Sequence, residues 1–326
     1  MSQARQLLAL LKSHFDGDER QFCAVAMQTA AHEARLGHAK LAEDLRQLID
    51  EAKSRSAAFE RRGSPVVVLQ PKGDLANLLF VCDPDVPLSD LVLPGTLEDR
   101  LRRVLKEHRQ QKRLREHGLR PRRKLLFGGP PGSGKTMTAS ALATELHLPL
   151  FTILMEGLIT KFMGETAAKL KLIFDAMAST PGVYLFDEFD AIGAKRTFGN
   201  DVGEIRRVLN SYLQFLEKDD SLGLIVAATN HPELLDRALF RRFDDVIEYE
   251  MPDRSAAIKI MKGRLLNFST ASIDWESVLD AAAGMSQAEL ARTCDEAAKQ
   301  AILENGQEVT TNMLMASLAE RKAAQR

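Results

Sequence analysis

Apolar positions follow two periods along the chain, and the change of period divides it into regions. From Gln3 to about Arg62 they recur every three to four residues, as in "LLALLKSHF" and "FCAVAMQTAAHEA". This spacing is typical of amphipathic helices and predicts a helical bundle over residues 1–62. The short apolar runs "SPVVVLQP" and "NLLFVCDP", bounded by Pro, Gly and Asp, then predict an extended linker with short strands over residues 63–96.

The region 97–252 mixes both periods. A helical stretch rich in Arg and Lys comes first, and short apolar runs then alternate with longer amphipathic segments. The runs are "KLLFGG", "LPLFTIL", "GVYLFDE", "GLIVAATN" and "DVIEYEMP". Strands that alternate with helices predict a parallel sheet with crossover helices on both faces, which is an α/β fold. Over residues 253–326 the pattern is helical only, with helix starts predicted at Asp253, Asp274 and Ser286.

Composition narrows the function classes only slightly. The 326 residues are 45% hydrophobic and 27% charged, with a net charge of -1, so no overall charge attracts nucleic acid or an anionic membrane. Three widely spaced cysteines form no CxxC pair, which favours free thiols in a reducing compartment. We find no signal-peptide core and no apolar run as long as a membrane span, so we expect a cytoplasmic protein without a membrane partner.

The segment "GGPPGSGKT" follows the predicted strand "KLLF" and precedes a predicted helix, the context that a P-loop requires. Its glycines allow backbone N–H groups to surround an anion, Lys135 can reach the β- and γ-phosphates, and the Thr136 hydroxyl can bind Mg²⁺. A chance glycine-rich loop is the alternative. The predicted nucleotide-binding residues here are Gly129, Pro130, Pro131, Gly132, Ser133, Gly134, Lys135, Thr136 and Met137. The motif makes the α/β region a P-loop NTPase, a three-layer fold with a parallel sheet.

Two further strand ends carry polar residues that suit this site. The run "VYLFDEFD" ends in Asp187, a candidate Mg²⁺ ligand, and Glu188, a candidate base for the attacking water. A solvated acidic turn is the alternative. The run "LIVAATN" ends in Asn230, whose amide could orient that water or contact the γ-phosphate. Arg241 and Arg242 follow a short predicted helix; they could reach a neighbouring subunit or form a salt bridge with Asp244 or Asp245.

The segments "GPPGSGKT", "VYLFDEFD", "AATN", "LDRALFRRFD" and "GMSQAEL", in this order, resemble the AAA family of AAA+ ATPases from about Leu91 onward. The resemblance implies ATP hydrolysis in a homo-oligomeric ring, usually a hexamer, with ATP between the α/β domain of residues 97–252 and a helical lid of residues 253–326. It makes Arg241 and Arg242 arginine fingers, adjacent as in the meiotic clade. It places Gly284 where other AAA+ clades carry a sensor arginine.

The family resemblance also explains "TKFMGET", which displays aromatic and apolar side chains in a predicted surface loop. In the family this is the first pore loop, so Lys161, Phe162 and Met163 would grip a polypeptide in the ring's channel. A Phe162 that folds onto the core is the alternative. Residues 196–204 stand where a second pore loop would lie.

These observations favour an ATP-driven motor that remodels or unfolds protein substrates, with the N-terminal bundle choosing the partner. The chain also resembles bacterial AAA proteins encoded beside subtilisin-like proteases in plasmid-maintenance or phage-defence pairs, which implies a separate serine-protease partner. The basic stretch "RLRRVLKEHRQQKRLREHGLRPRRK" leaves a nucleic-acid-associated ATPase as an alternative, although it lacks interleaved aromatics. A nucleotide-gated scaffold without turnover is a third hypothesis, which the presence of Glu188 disfavours.

Overall fold

The structure is a computed structural model, and it describes residues 73–158, 163–193, 202–304, 306 and 308–324. The chain divides into two compact units, Met1–Val66 and Val67–Arg326. The predicted bundle of residues 1–62 lies outside the described residues and stays a prediction. All residues that the structure describes belong to the second unit.

A six-stranded sheet forms the centre of the described residues. Its strands are β1 (Leu79–Cys82), β2 (Lys124–Gly128), β3 (Leu150–Ile153), β4 (Val183–Phe186), β5 (Leu224–Thr229) and β6 (Asp245–Glu248). They lie in the order β1-β3-β4-β5-β2-β6, and every neighbouring pair is parallel except β1 with β3. All residues of β4 and β5 are buried, as expected for central strands covered on both faces. The predicted α/β fold with a mostly parallel sheet is confirmed.

Helices cover both faces of this sheet. They are α1 (Gly95–Arg109), α2 (Gln111–Glu116), α3 (Lys135–Leu146), α4 (Met155–Leu158), α5 (Met163–Ser179), α6 (Asp190–Gly193), α7 (Val202–Lys218) and α8 (Arg237–Phe240). On one face, Leu101 of α1 and Leu142 of α3 join a buried cluster with Phe127 of β2. On the other face, Ile173 of α5 and Tyr212 of α7 pack in a second buried cluster. The result is a three-layer domain.

The segment predicted as a linker over residues 63–96 contributes a strand to the domain. Leu79 of β1 pairs with Ile153 of β3 in antiparallel register, and Leu79 is buried in the core. The apolar run "NLLFVC" therefore contains one of the short strands that the sequence predicted for this segment, and that strand lies at the edge of the sheet. A short apolar run bounded by turn residues predicts a strand but does not show which strand it pairs with. Here the partner β3 lies much later in the chain, with Leu79 opposite Ile153.

The helices after residue 253 form a separate apolar cluster. They are α9 (Arg254–Arg264), α10 (Trp275–Ala281), α11 (Gln287–Leu303) and α12 (Thr311–Ala324). The N-caps of α9, α10 and α11 are Asp253, Asp274 and Ser286, at the starts that the sequence predicted. Among the helices in the described part of the chain, none combines the length and apolar composition of a membrane span.

Candidate functional site

The loop from Gly129 to Gly134 joins β2 to α3, and its glycines are required by its geometry. Gly129, Gly132 and Gly134 have φ values of 146°, 72° and 97°, a region that residues with a Cβ rarely adopt. A Cβ on Gly129 would lie 2.3 Å from the carbonyl oxygen of Tyr249, which follows β6. The strand neighbouring β2 therefore contacts the loop so closely that only glycine fits.

Lys135, the first residue of α3, is held at the centre of the loop. Its Nζ donates hydrogen bonds of 2.8 Å to the carbonyl oxygens of Gly129 and Pro130 and to Oδ1 of Asn230. Burial lowers the pKa of Lys135 below its ordinary value, and the carboxylates of Asp187 and Asp190 oppose that shift. The ammonium group is thus largely removed from water and surrounded by oxygen atoms.

Thr136 and Asp187 meet although 51 positions separate them in the chain. The Thr136 hydroxyl donates a 2.8 Å hydrogen bond to Oδ2 of Asp187, and Oδ1 of Asp187 accepts one from the backbone N–H of Glu188. Glu188 is exposed and has a φ of 50°, an uncommon backbone conformation for a residue other than glycine. Such backbone strain occurs preferentially at functional sites.

Strand β5 lies between β2 and β4, and Asn230, directly after it, accepts the hydrogen bond from Lys135 Nζ. Thr229 also faces the site region, since its hydroxyl donates to Oδ1 of Asp190 at 2.9 Å and accepts from the backbone N–H of His231 at 3.0 Å. The carboxyl ends of β2, β4 and β5 thus bring together the predicted lysine, threonine, carboxylates and asparagine. Thr229 and Asp190 extend this hydrogen-bonded group. The sequence analysis assigned neither a role, although they lie within the motifs "AATN" and "VYLFDEFD", because only the fold shows that the two side chains meet.

The two adjacent arginines differ in their surroundings. Arg242 forms an ion pair with Glu217 at the end of α7, whereas Arg241 is exposed and has no ion pair with any residue that the structure describes. The alternative that either pairs with Asp244 or Asp245 is wrong. Asp244 accepts hydrogen bonds from the backbone N–H groups of Arg123 and Lys124, and Asp245 pairs with Arg100 and Arg122.

The start of α11 touches the phosphate-binding loop directly. The backbone N–H of Ala288 donates to the carbonyl oxygen of Gly132 at 3.1 Å, and a Cβ on Gly132 would lie 2.6 Å from the Ser286 hydroxyl. Gly284 has a φ of 79° and open space around it, so its backbone conformation rather than crowding favours glycine. The sequence analysis named Gly284 and missed Ser286 and Ala288, although the N-cap signal at Ser286 had fixed where the helix begins.

The remaining predicted site residues lie mostly outside the described residues. Lys161 and Phe162 are among them, and Met163 is described only as the first residue of α5. Residues 196–201 of the second predicted pore loop are also outside, and α7 begins at Val202. These pore-loop assignments stay predictions.

Comparison with known proteins identifies the family. Residues 125–251 match the model of the ATPase family associated with various cellular activities (AAA). The "Uncharacterized AAA family ATPase y4kL" of Sinorhizobium fredii is 33% identical to this chain, and the match covers 100% of this chain and 98% of that protein. The chain belongs to the AAA family of ATPases. A proteasome-activating nucleotidase of Saccharolobus solfataricus is 33% identical over 81% of the chain and 70% of its own length. Another, from Methanocaldococcus jannaschii, is 37% identical over 57% of the chain and 45% of its own length.

The residues of this AAA site fit a magnesium-bound nucleotide. Three glycines with positive φ give the loop a backbone conformation that can surround an anion, and α3 begins directly after the loop with a buried cation. Thr136 and Asp187 place a hydroxyl and a carboxylate 2.8 Å apart, and such oxygen ligands suit Mg²⁺. As a member of this family the protein is an ATPase. Bound ATP supplies the phosphoanhydride bond that is hydrolysed.

Proposed function

We propose that this AAA ATPase is a Mg²⁺-dependent ring motor, hexameric, that remodels or unfolds protein substrates through a central pore. The observation that carries the proposal is the similarity to proteasome-activating nucleotidases over 81% of the chain. The sequence "KFMGE" supports it, because it places an aromatic residue between the P-loop helix and the strand that ends at Asp187. Apolar contact with an extended chain requires no sequence-specific recognition, which suits a motor that handles varied substrates.

Within each subunit the contacts support a division of roles. Lys135 neutralises the β- and γ-phosphates, while Thr136 and Asp187 hold Mg²⁺. Glu188, one residue beyond the Mg²⁺ ligand, polarises the attacking water. Asn230 already accepts a hydrogen bond from Lys135 Nζ at 2.8 Å, so its amide is near enough to orient a group at the γ-phosphate.

Arg241 is proposed to act on the ATP of the neighbouring subunit. The Lys135 ammonium and a bound Mg²⁺ already neutralise the phosphates of its own site, and no described residue forms an ion pair with Arg241. An exposed arginine without such a partner is available to a phosphate brought by another copy. Arg242 is a second candidate, but its pairing with Glu217 must break first.

Substrate choice is proposed to depend on other parts of the assembly. Residues 1–62 would recruit the substrate or partner, and a separate serine protease would perform any proteolysis. This second proposal rests on the sequence resemblance alone. ATP turnover and unfolding do not depend on it.

A nucleic-acid-associated ATPase is the alternative, and the basic stretch is the observation that favours it. Most of its arginines pair with carboxylates of this chain. These are Arg100, Arg102, Arg103, Arg109, Arg120, Arg122 and Arg123. Lys106, Lys112, Arg113 and Arg115 form no ion pair within the described part of the chain. Because internal carboxylates already neutralise most of the positive charge, the stretch favours a solvated surface over a phosphate-binding one.

The test is a Phe162→Ala variant with Phe162→Tyr as its matched control. We expect the alanine variant to retain basal ATPase and thermal stability while losing the unfolding of a labelled protein substrate. The tyrosine variant should retain most unfolding because its ring still presents an apolar face. If Phe162 filled the core instead, the alanine variant would lose about 3 to 5 kcal/mol of stability and its ATPase together. ATPase that responds to DNA and not to unfolded protein would favour the alternative function.

A further inference from the structure

Gln287, the first residue of α11, is placed between two segments of the ATPase domain. Its side-chain Nε2 donates a 3.3 Å hydrogen bond to the backbone carbonyl oxygen of Val92, just before α1. On the other side, a Cβ on Gly134 of the phosphate-binding loop would lie 3.5 Å from Oε1 of Gln287. The side chain is half-buried, so this amide lies in a gap bounded by the lid helix, the loop and Val92.

The contact with Val92 fixes which end of the amide faces the loop. A backbone carbonyl oxygen can only accept a hydrogen bond, so the NH₂ end of Gln287 must point toward Val92. The carbonyl oxygen Oε1 then points toward Gly134. Oε1 accepts no hydrogen bond from the described residues, so an acceptor with free lone pairs faces the gap.

The backbone around Gln287 holds it in this position. Ser286 and Glu289 form a capping box at the start of α11, with the Ser286 backbone N–H donating to Glu289 Oε2 at 2.7 Å. The bond from the Ala288 N–H to the Gly132 carbonyl oxygen ties the same turn to the loop. Residues on both sides of Gln287 are therefore fixed, which leaves mainly its side-chain torsions free.

Gln287 is separate from the side chains proposed to act at the γ-phosphate. Lys135, Thr136, Asp187 and Asn230 are joined by hydrogen bonds and form the end proposed to act at the γ-phosphate. Gln287 shares no hydrogen bond with that group in the part of the chain that the structure describes, and its Oε1 lies 3.5 Å from the position that a Cβ on Gly134 would take. Since the γ-phosphate and the base are opposite ends of the molecule, a nucleotide with its γ-phosphate at that group could carry its base on the side of Gln287 and Val92.

We propose that Gln287 is a specificity-determining residue that recognises the 6-amino group of adenine. Its Oε1 accepts a hydrogen bond from that amino group, and the second N–H of Nε2 can donate to N7. A glutamine amide matches this edge of adenine, as known from protein contacts with DNA. A 6-oxo purine presents an acceptor oxygen to Oε1 instead, which leaves both acceptors unpaired and costs affinity.

The test compares the binding of ADP and inosine diphosphate, whose bases differ at the 6-position and in the proton on N1. Isothermal titration of the full-length protein should show that the wild type prefers ADP by about tenfold or more. Gln287→Met keeps the length of the side chain and removes both hydrogen-bonding groups. It should weaken ADP binding about tenfold and leave inosine diphosphate within about twofold, so that the preference disappears.

The matched control is Gln300→Met, an exposed glutamine of the same helix that donates to Glu304 at 3.0 Å. It should leave both affinities unchanged. A wild type that binds the two nucleotides equally would overturn the proposal without any variant. An equal loss for both nucleotides in Gln287→Met would also overturn it, since the residue would then only hold the lid. The inference rests on the ATP site alone. Equal binding of the two nucleotides would leave the ring-motor proposal intact, and a failure of the Phe162 test would leave this inference intact.

Discussion

At the scale of single residues, the candidate site combines a buried cation with an exposed carboxylate. Lys135 is 6% exposed and bonds to three oxygen atoms, whereas Glu188 is exposed on a strained turn after β4. The Lys135 side chain is held by these oxygen atoms, and the Glu188 side chain is open to solvent. Removing the Lys135 ammonium and removing the Glu188 carboxylate should therefore have different effects on ATP binding and on turnover.

We predict that Lys135→Ala abolishes ATP binding, because it removes the cation that offsets phosphate charge. Glu188→Gln should keep the affinity within about threefold and lower turnover by at least about a hundredfold, since only the water-activating carboxylate is lost. Equilibrium titration with a fluorescent ATP analogue and single-turnover hydrolysis measure the two effects. Equal losses of affinity in both variants would contradict the role proposed for Glu188.

At the scale of elements, burial decides the state of a titratable group at the end of α1. His108 is buried against the loop before β5, and its Nε2 lies 3.0 Å from the carbonyl oxygen of Leu222. Burial lowers the pKa of His108, while the hydrogen bond to Leu222 opposes that shift. The imidazole sits at a helix C-terminus, where a cation is favoured, and burial nevertheless has the larger effect.

We predict that His108 makes the domain less stable in acid. Below about pH 6.5 the unfolded chain binds a proton at this position while the folded imidazole stays neutral to a lower pH, so the stability is full above that pH and falls as the pH is lowered. His108→Gln keeps a donor for Leu222 and should reduce the loss of denaturation midpoint between about pH 8 and pH 5.5. The exposed His117→Gln variant is the control. An undiminished pH dependence in His108→Gln would contradict the prediction.

At the scale of the whole molecule, one subunit contains nearly all residues of the proposed site. Arg241, however, is exposed and forms no ion pair with any residue that the structure describes. The P-loop, the ends of β4 and β5 and the start of α11 already meet around the loop. The exposed arginine after α8 is therefore the residue that we propose acts on the site of a neighbouring copy. A heterologous interface of this kind closes into a ring when the rotation permits.

We predict that Arg241→Ala leaves ATP binding intact and lowers hydrolysis by about 10³-fold or more, the range known for arginine fingers. Mixed rings of Arg241→Ala and Lys135→Ala subunits should regain activity, since some interfaces then combine an intact P-loop with an intact Arg241. Arg254→Ala, which removes an exposed lid arginine paired with Asp280, is the control and should retain activity. No recovery in rings shown to be mixed would argue against action in trans.

The sequence by itself determined the features that depend on local chemistry. The P-loop glycines, the strands of the parallel sheet and the N-caps at Asp253, Asp274 and Ser286 follow from backbone preferences and short-range hydrogen bonds. The family follows from the order of motifs. Each of these signals lies within a few residues of the structure that it specifies.

Only the tertiary structure decided which distant residues meet. The insertion of β5 between β2 and β4 places Asn230 on Lys135, and the pairing of β1 with β3 makes a predicted linker part of the sheet. Arg241 and Arg242 differ in their surroundings because Arg242 pairs with Glu217, 25 positions away. The amide of Gln287 lies between Val92 and Gly134 because of a hydrogen bond across 195 positions. Such contacts arise from the packing of whole elements, for which a periodic pattern gives the buried face but not the partner.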